Sequence, residues 1–150
     1  MSLHTPDLTK FPPRSPRVRL GGYAILPRCL DKGRAELAGK NGEYHFACPL
    51  DQRFLTFVGI DPEALKEQLK AGKGDGEILA WIEENAATKR SPWEIKQWSD
   101  FVEQRGPGGD IDTIEFFVSL FKDAGPDRAD IGGWFELLDL DDHVTFGGKA

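Results

Sequence analysis

Apolar residues recur along this chain mostly at three- and four-residue steps, the spacing that gathers them on one side of a helix. Tyr23, Leu26, Leu30 and Leu37 form such a stripe, with Gly33 between them allowing close packing, while Arg28, Asp31, Lys32 and Ala35 fall on another side. The spacing predicts a helix from about Ala24 to Ala38, with Pro27 in its first turn and Gly39 as its stop. Before it, Ser15-Pro16 reads as the start of a short helix that breaks at Gly21-Gly22. Leu50, Phe54, Phe57 and Val58 predict a helix ending at Gly59. Asp61-Pro62 opens another, to about Ala71, with Leu65 and Leu69 inward. Ile78, Leu79, Trp81 and Ile82 mark a helix to about Ala87. Ser91-Pro92-Trp93-Glu94 carries a capping box and opens the helix of Ile95, Trp98, Phe101 and Val102. Asp110 opens the next, with Ile114, Phe117, Val118 and Phe121 as its inner face and Gly125-Pro126 as its close. A last helix, about Ala129 to Leu140, presents Ile131, Trp134, Phe135 and Leu138.

Against these segments stands one short aromatic stretch, Glu43 to Ala47, that reads as a brief strand. The fold class is therefore mainly α: a single compact domain of six to eight helices, with room for one short strand or hairpin near residues 43–48. Residues 1–13, with Pro6, Pro12 and Pro13, form an extended arm anchored by Leu8 and Phe11. Residues 14–140 form the helical domain, and residues 141–150 an acidic, glycine-rich tail. No internal repeat is visible.

Composition narrows the class. The 150 residues are 39% hydrophobic and 29% charged, an ordinary globular balance. The longest nearly apolar stretch, Phe54 to Ile60, is far short of the roughly twenty residues that a membrane helix needs. Met1 to Asp7 has neither the basic start nor the apolar centre of a secretory signal. Cys29 and Cys48 stand far apart, outside any C-x-x-C pair, and read as reduced thiols in a cytoplasmic protein. The net charge of −6 is divided unevenly: residues 1–75 hold twelve Lys and Arg against nine Asp and Glu, and residues 76–150 hold seven against sixteen. Such a chain either neutralises its own ends within the fold or presents a charged end to a partner.

The basic excess points to one stretch. Arg14, Arg17 and Arg19 surround the Ser15-Pro16 start, where free N–H groups and guanidinium forks both suit an anion, and Gly21 and Gly22 let a ligand or another backbone come close. The other reading pairs these arginines with carboxylates of the acidic half. Arg28, Asp31, Lys32 and Arg34 are spaced as a solvated ion-pair face, in which Asp31 would also serve as an acceptor for a ligand hydroxyl or amine. The candidate ligand-binding residues are therefore Arg14, Ser15, Arg17, Gly21, Gly22, Arg28, Asp31, Lys32 and Arg34. His45, Cys48 and Asp51 lack the further ligands of a zinc site, and on an extended strand His45 and Cys48 would face opposite ways. Cys48 reads first as a small buried apolar group. Gly72 to Gly76 lacks the phosphate-loop spacing. Asp110-Ile111-Asp112 reads as carboxylates at a helix N-terminus, and Asp139 to Asp142 as a solvated tail. No metal and no cofactor is expected. The overall acidity argues against nucleic acid.

Arg14-Ser15-Pro16-Arg17, Leu20-Gly21-Gly22-Tyr23, Leu26-Pro27-Arg28, Asp31-Lys32-Gly33-Arg34-Ala35, Gly42-Glu43-Tyr44, Cys48-Pro49-Leu50-Asp51 and Phe57-Val58-Gly59-Ile60-Asp61 together resemble a family of small bacterial proteins, domain of unknown function 5069. The resemblance covers most of the chain and is densest before residue 62. It implies a stand-alone bacterial cytoplasmic protein and transfers no catalytic residue. The expectation is a protein that binds an anionic small ligand or partner through its basic N-terminal helical region. The alternative is an interaction module or homodimer pairing basic and acidic ends. An enzyme using Asp31, His45 or Cys48 ranks third, since no catalytic constellation is recognisable.

Overall fold

Seven helices carry the chain in the computed structural model, which describes residues 5–150. They are α1 (Leu26–Leu37), α2 (Pro49–Val58), α3 (Pro62–Lys70), α4 (Asp75–Asn85), α5 (Pro92–Gln104), α6 (Ile111–Ala124) and α7 (Trp134–Thr145). Their starts follow the punctuation of the sequence. Asp61 and Asp110 cap α3 and α6 by accepting the N–H groups of Ala64 and Thr113. Ser91 and Glu94 close the reciprocal box at the head of α5. Each cap satisfies donors that the first helical turn would otherwise leave free.

Helix α1 is the most deeply buried of the seven, and it packs against α2 and α3, while α7 packs against α5 and α6. Its residues from Leu26 to Gly33 are all buried. Gly33 lies so close to Leu69 of α3 that a Cβ would collide with it and would crowd Phe46 as well. The core continues through Phe54, Leu55 and Val58 of α2, Leu65 and Leu69 of α3, Ile78 and Ile82 of α4, and Phe135, Leu137 and Leu140 of α7. An aromatic cluster anchors one end. The Tyr23 ring meets Phe54 edge-on at 5.2 Å, and Phe57 stacks on Trp98 at 4.8 Å.

Several expectations change. Ser15-Pro16 does not start a helix: the Val18 N–H donates to the Ser15 carbonyl in a single turn, and the segment then runs extended. Leu20 and Tyr23 exchange both backbone hydrogen bonds around Gly21-Gly22, both at positive φ, the geometry of a tight two-residue hairpin turn. What comes close to these glycines is the protein itself, since Cβ atoms there would meet Leu79 of α4 and Ile95 of α5. Residues 43–48 form turns and no strand. Ala47 adopts φ 60°, and its N–H is taken by the Asp51 side chain, so no ladder forms.

The last helix begins five residues later than expected, because Gly132-Gly133 is poor helix material and the Trp134 N–H is held by the Arg105 carbonyl. It then continues past residue 140 to Thr145. Asp139 and Asp142, expected in a solvated tail, lie inside this helix. In α6 the inner face is rotated: Phe117 and Ala124 are buried, whereas Ile114 and Val118 are exposed. Likewise Phe101 of α5 faces solvent. In the arm, Leu8 is buried and its N–H donates to the Lys40 carbonyl, whereas Phe11 is exposed.

Candidate functional site

The nine residues singled out from the sequence do not meet at one point. Arg14, Asp31 and Arg34 form a cluster with Asp75. Arg14 donates its backbone N–H and Nε to Asp31, and its Nη1 to Asp75 at 2.8 Å, where Arg34 also donates at 2.8 Å. This cluster borders a cleft of about 520 Å³, but its two guanidiniums already face two carboxylates. Ser15 and Arg17 both donate to Asp139 of α7, at 2.7 and 3.0 Å. Arg19, beside them, reaches Asp100 and Glu103 of α5.

The expected solvated face of α1 is buried. Arg28, only 3% exposed, makes a two-pronged bond to Asp142, and the Tyr44 hydroxyl donates to the same carboxylate at 2.7 Å. Burial, with Asp142 beside it, pushes the Tyr44 phenol up. Lys32, equally buried, lies 2.9 Å from the Asp51 carboxylate and donates to the Cys48 sulfur at 3.1 Å. Burial opposes the ammonium charge, yet Asp51 keeps Lys32 above its ordinary value. Gly21 and Gly22 lie elsewhere, in their turn against α4 and α5.

Burial works to raise the Asp75 carboxyl, but its bonds from Arg14 and Arg34 outweigh it and hold the group below its ordinary value of 3.8. A depressed carboxyl stabilises the fold fully above its unfolded value and loses that contribution as pH falls through its folded value. The acid limb of the stability curve, below about pH 4, should therefore be shallower in Asp75→Asn than in the parent. Chemical denaturation between neutral pH and strong acid checks this, and parallel curves would remove Asp75 from the acid response.

Of the nine arginines in the sequence, Arg53 and Arg105 are the two that form no ion pair among the described residues. Both line one cleft of about 710 Å³, between α2, the end of α5, α6 and α7. Burial pushes the Arg105 guanidinium down, and the positive charge of Arg53 adds to that push. Arg105 lies over the Trp134 ring at 5.5 Å from its centre. Trp134, 8% exposed, has a buried indole N–H with no acceptor. Phe116, Leu120 and Leu138 supply an apolar wall. Asp110 and Asp112 also line the cleft, but neither is within ion-pair distance of either arginine, and Asp110 is engaged in capping Thr113. Cys48 lines this cleft and also a neighbouring one of about 560 Å³ that reaches Arg28, Lys32, Tyr44 and His45. His45 itself is exposed.

Sequence reasoning missed Arg53, Arg105, Tyr44 and Asp142. Arg53 did carry a signal, because no carboxylate stands three or four residues from it on its helix, where an exposed arginine commonly finds one.

The result is a helical single-domain protein with a set of internal ion pairs and one cleft whose two arginines form no ion pair among the described residues. No helix is long and apolar enough to cross a membrane among the described residues. The chain belongs to the family described as Domain of unknown function (DUF5069), whose model matches residues 10–144. No curated protein matches it.

Proposed function

We propose that this protein binds a small anion with an apolar body, of the carboxylate or phosphate class, in the cleft of Arg53, Arg105 and Trp134. One observation carries the reading: the two arginines without a carboxylate partner face the same cleft. An arriving anion would relieve their mutual repulsion. The apolar wall would take the rest of the molecule. Such a combination of a mostly apolar concavity with a few convergent polar groups is the usual form of a small-molecule site.

The basic stretch from Arg14 to Arg34 supports anion binding less well, because an anion there would have to displace Asp31, Asp75, Asp139 or Asp142. The same pairing weakens a homodimer of basic and acidic ends, since those ends already neutralise each other within one chain. We place the protein in the cytoplasm, a setting in keeping with its two free cysteines.

Thermal melting against alkyl and aryl carboxylates and phosphates of increasing apolar length tests the site. A ligand at one hundred times its dissociation constant stabilises by about 2.7 kcal/mol. Arg53→Ala and Arg105→Ala should each weaken binding by about tenfold or more, a loss of ~1.4 kcal/mol, while Arg17→Ala leaves it unchanged. Stabilisation by no member of the series, or retention of affinity in both cleft variants, would remove the assignment.

A further inference from the structure

We propose that Cys48 is a nucleophilic thiol, positioned by Lys32 and Asp51, that accepts an activated acyl group from a molecule held in the adjoining cleft. Three contacts on consecutive groups support this. The Lys32 ammonium donates to the Cys48 sulfur at 3.1 Å, and the Asp51 carboxylate holds that ammonium at 2.9 Å. The same Asp51 oxygen also accepts the Ala47 N–H at 3.0 Å, which fixes the carboxylate to the backbone just ahead of Cys48. A nucleophile within reach of a charged partner, itself oriented by a third group, is the general arrangement for an activated side chain.

The position of the sulfur adds to this. Cys48 is the N-cap of α2, a ten-residue helix. In the first turn after Pro49, the N–H groups of Leu50 and Asp51 have no acceptor within the helix. The helix dipole favours negative charge that develops at this end on a carbonyl oxygen attacked by the sulfur. Unlike Cys29, which is completely buried and whose thiol is pushed well up by burial and by Asp51, Cys48 is half-buried and open to two clefts. Of the Asp51 carboxylate, fully buried, the second oxygen has no hydrogen-bond partner.

The step balances simply. The Cys48 thiol gives its proton to solvent, its sulfur attacks the carbonyl carbon of an ester or thioester, a sulfur–carbon bond forms, and the bond to the leaving alkoxide or thiolate breaks. The leaving group takes its proton from solvent. Lys32 stays protonated throughout and acts as a positioning residue, through the sulfur. The preference for an anionic acyl donor rests on the reading of Arg53 and Arg105 given above, whereas the nucleophile does not.

Para-nitrophenyl acetate serves as the probe. The intact protein should release one equivalent of nitrophenolate in a burst and carry the acetyl group on Cys48 by peptide mapping. Its rate should exceed by about tenfold or more that of a free peptide of residues 44–52. Cys48→Ser should abolish the burst. Lys32→Arg, which keeps a charged donor beside the sulfur, should retain part of the rate, whereas Lys32→Met should bring it to that of the peptide, a split that a purely structural role for Lys32 would not give. Should either variant fail to fold, the comparison of parent protein with peptide decides. A Cys48 that reacts no faster than the peptide, or acetyl found only elsewhere, would overturn the proposal. The anionic mono-para-nitrophenyl ester of succinate should react faster than the acetate in the parent and lose that advantage in Arg53→Ala. No such preference in the parent, or its persistence in Arg53→Ala, with the burst intact, would sink the anion site and leave the nucleophile standing.

Discussion

Arg28→Ala should destabilise the protein by about 3–5 kcal/mol, the usual cost of leaving one member of a buried ion pair alone. The Arg28 and Asp142 side chains are 4% and 8% exposed, and their bonds are 2.7 and 3.2 Å long. Removing the guanidinium would strand Asp142 beside the Tyr44 hydroxyl, and also free the Arg14 carbonyl that Arg28 holds at 3.2 Å. Replacing both partners with apolar groups, Arg28→Met with Asp142→Leu, should recover most of the loss, since such a pair returns little net stability once its desolvation is counted. Urea unfolding of the two single variants and the double one measures the effect. A loss below about 1 kcal/mol for Arg28→Ala would place the pair with surface ion pairs instead.

Phe54→Ala should cost a similar ~3–5 kcal/mol, because a fully buried aromatic leaves both lost burial and a cavity behind. Phe54 is 0% exposed and packs against Tyr23 and Trp98, at 5.2 and 6.3 Å between ring centres. Phe101→Ala, on a helix whose pattern suggested an inward aromatic there, should change stability by no more than about 0.5 kcal/mol, since its ring is 62% exposed. The two variants, compared by urea midpoint, separate helical periodicity from actual burial. Equal losses at both positions would mean that the face of α5 is wrongly described.

Much of the architecture was legible before any coordinates. The helices α2, α3 and α5 begin where Pro49, Pro62 and Pro92 allow, and α2 stops at Gly59, which takes the left-handed conformation. These are local effects: a proline fixes φ, a capping side chain reaches three residues along, and a glycine permits positive φ wherever it sits. Ser15-Pro16 carries the same signal but forms only one turn. There Ser15 gives its hydroxyl proton to Asp139, 124 residues along, while its oxygen accepts the Arg17 N–H across the turn. A tertiary bond drew the segment away from its local preference.

The candidate site was less legible. Arg28 and Lys32 have the spacing of an exposed face, and nothing within a turn of either says that it will be buried. Their partners, Asp142 and Asp51, stand 114 and nineteen residues away. The excess of acid in the second half did point to internal pairing, without saying which carboxylate meets which arginine. Arg53 and Arg105 became a feature only when the fold left them side by side without a carboxylate.

By itself, then, the sequence determined that this protein is helical, where most of its helices begin and end to within a few residues, and that its two halves carry complementary charge. Those properties depend on backbone sterics and neighbours within four residues. Only the tertiary structure decided which helix was most deeply buried, which apolar faces turned inward, and which cations stayed unpaired in the cleft that Cys48 lines. Burying a charge is favourable only when a partner arrives from far along the chain, and that arrival depends on how all seven helices pack together.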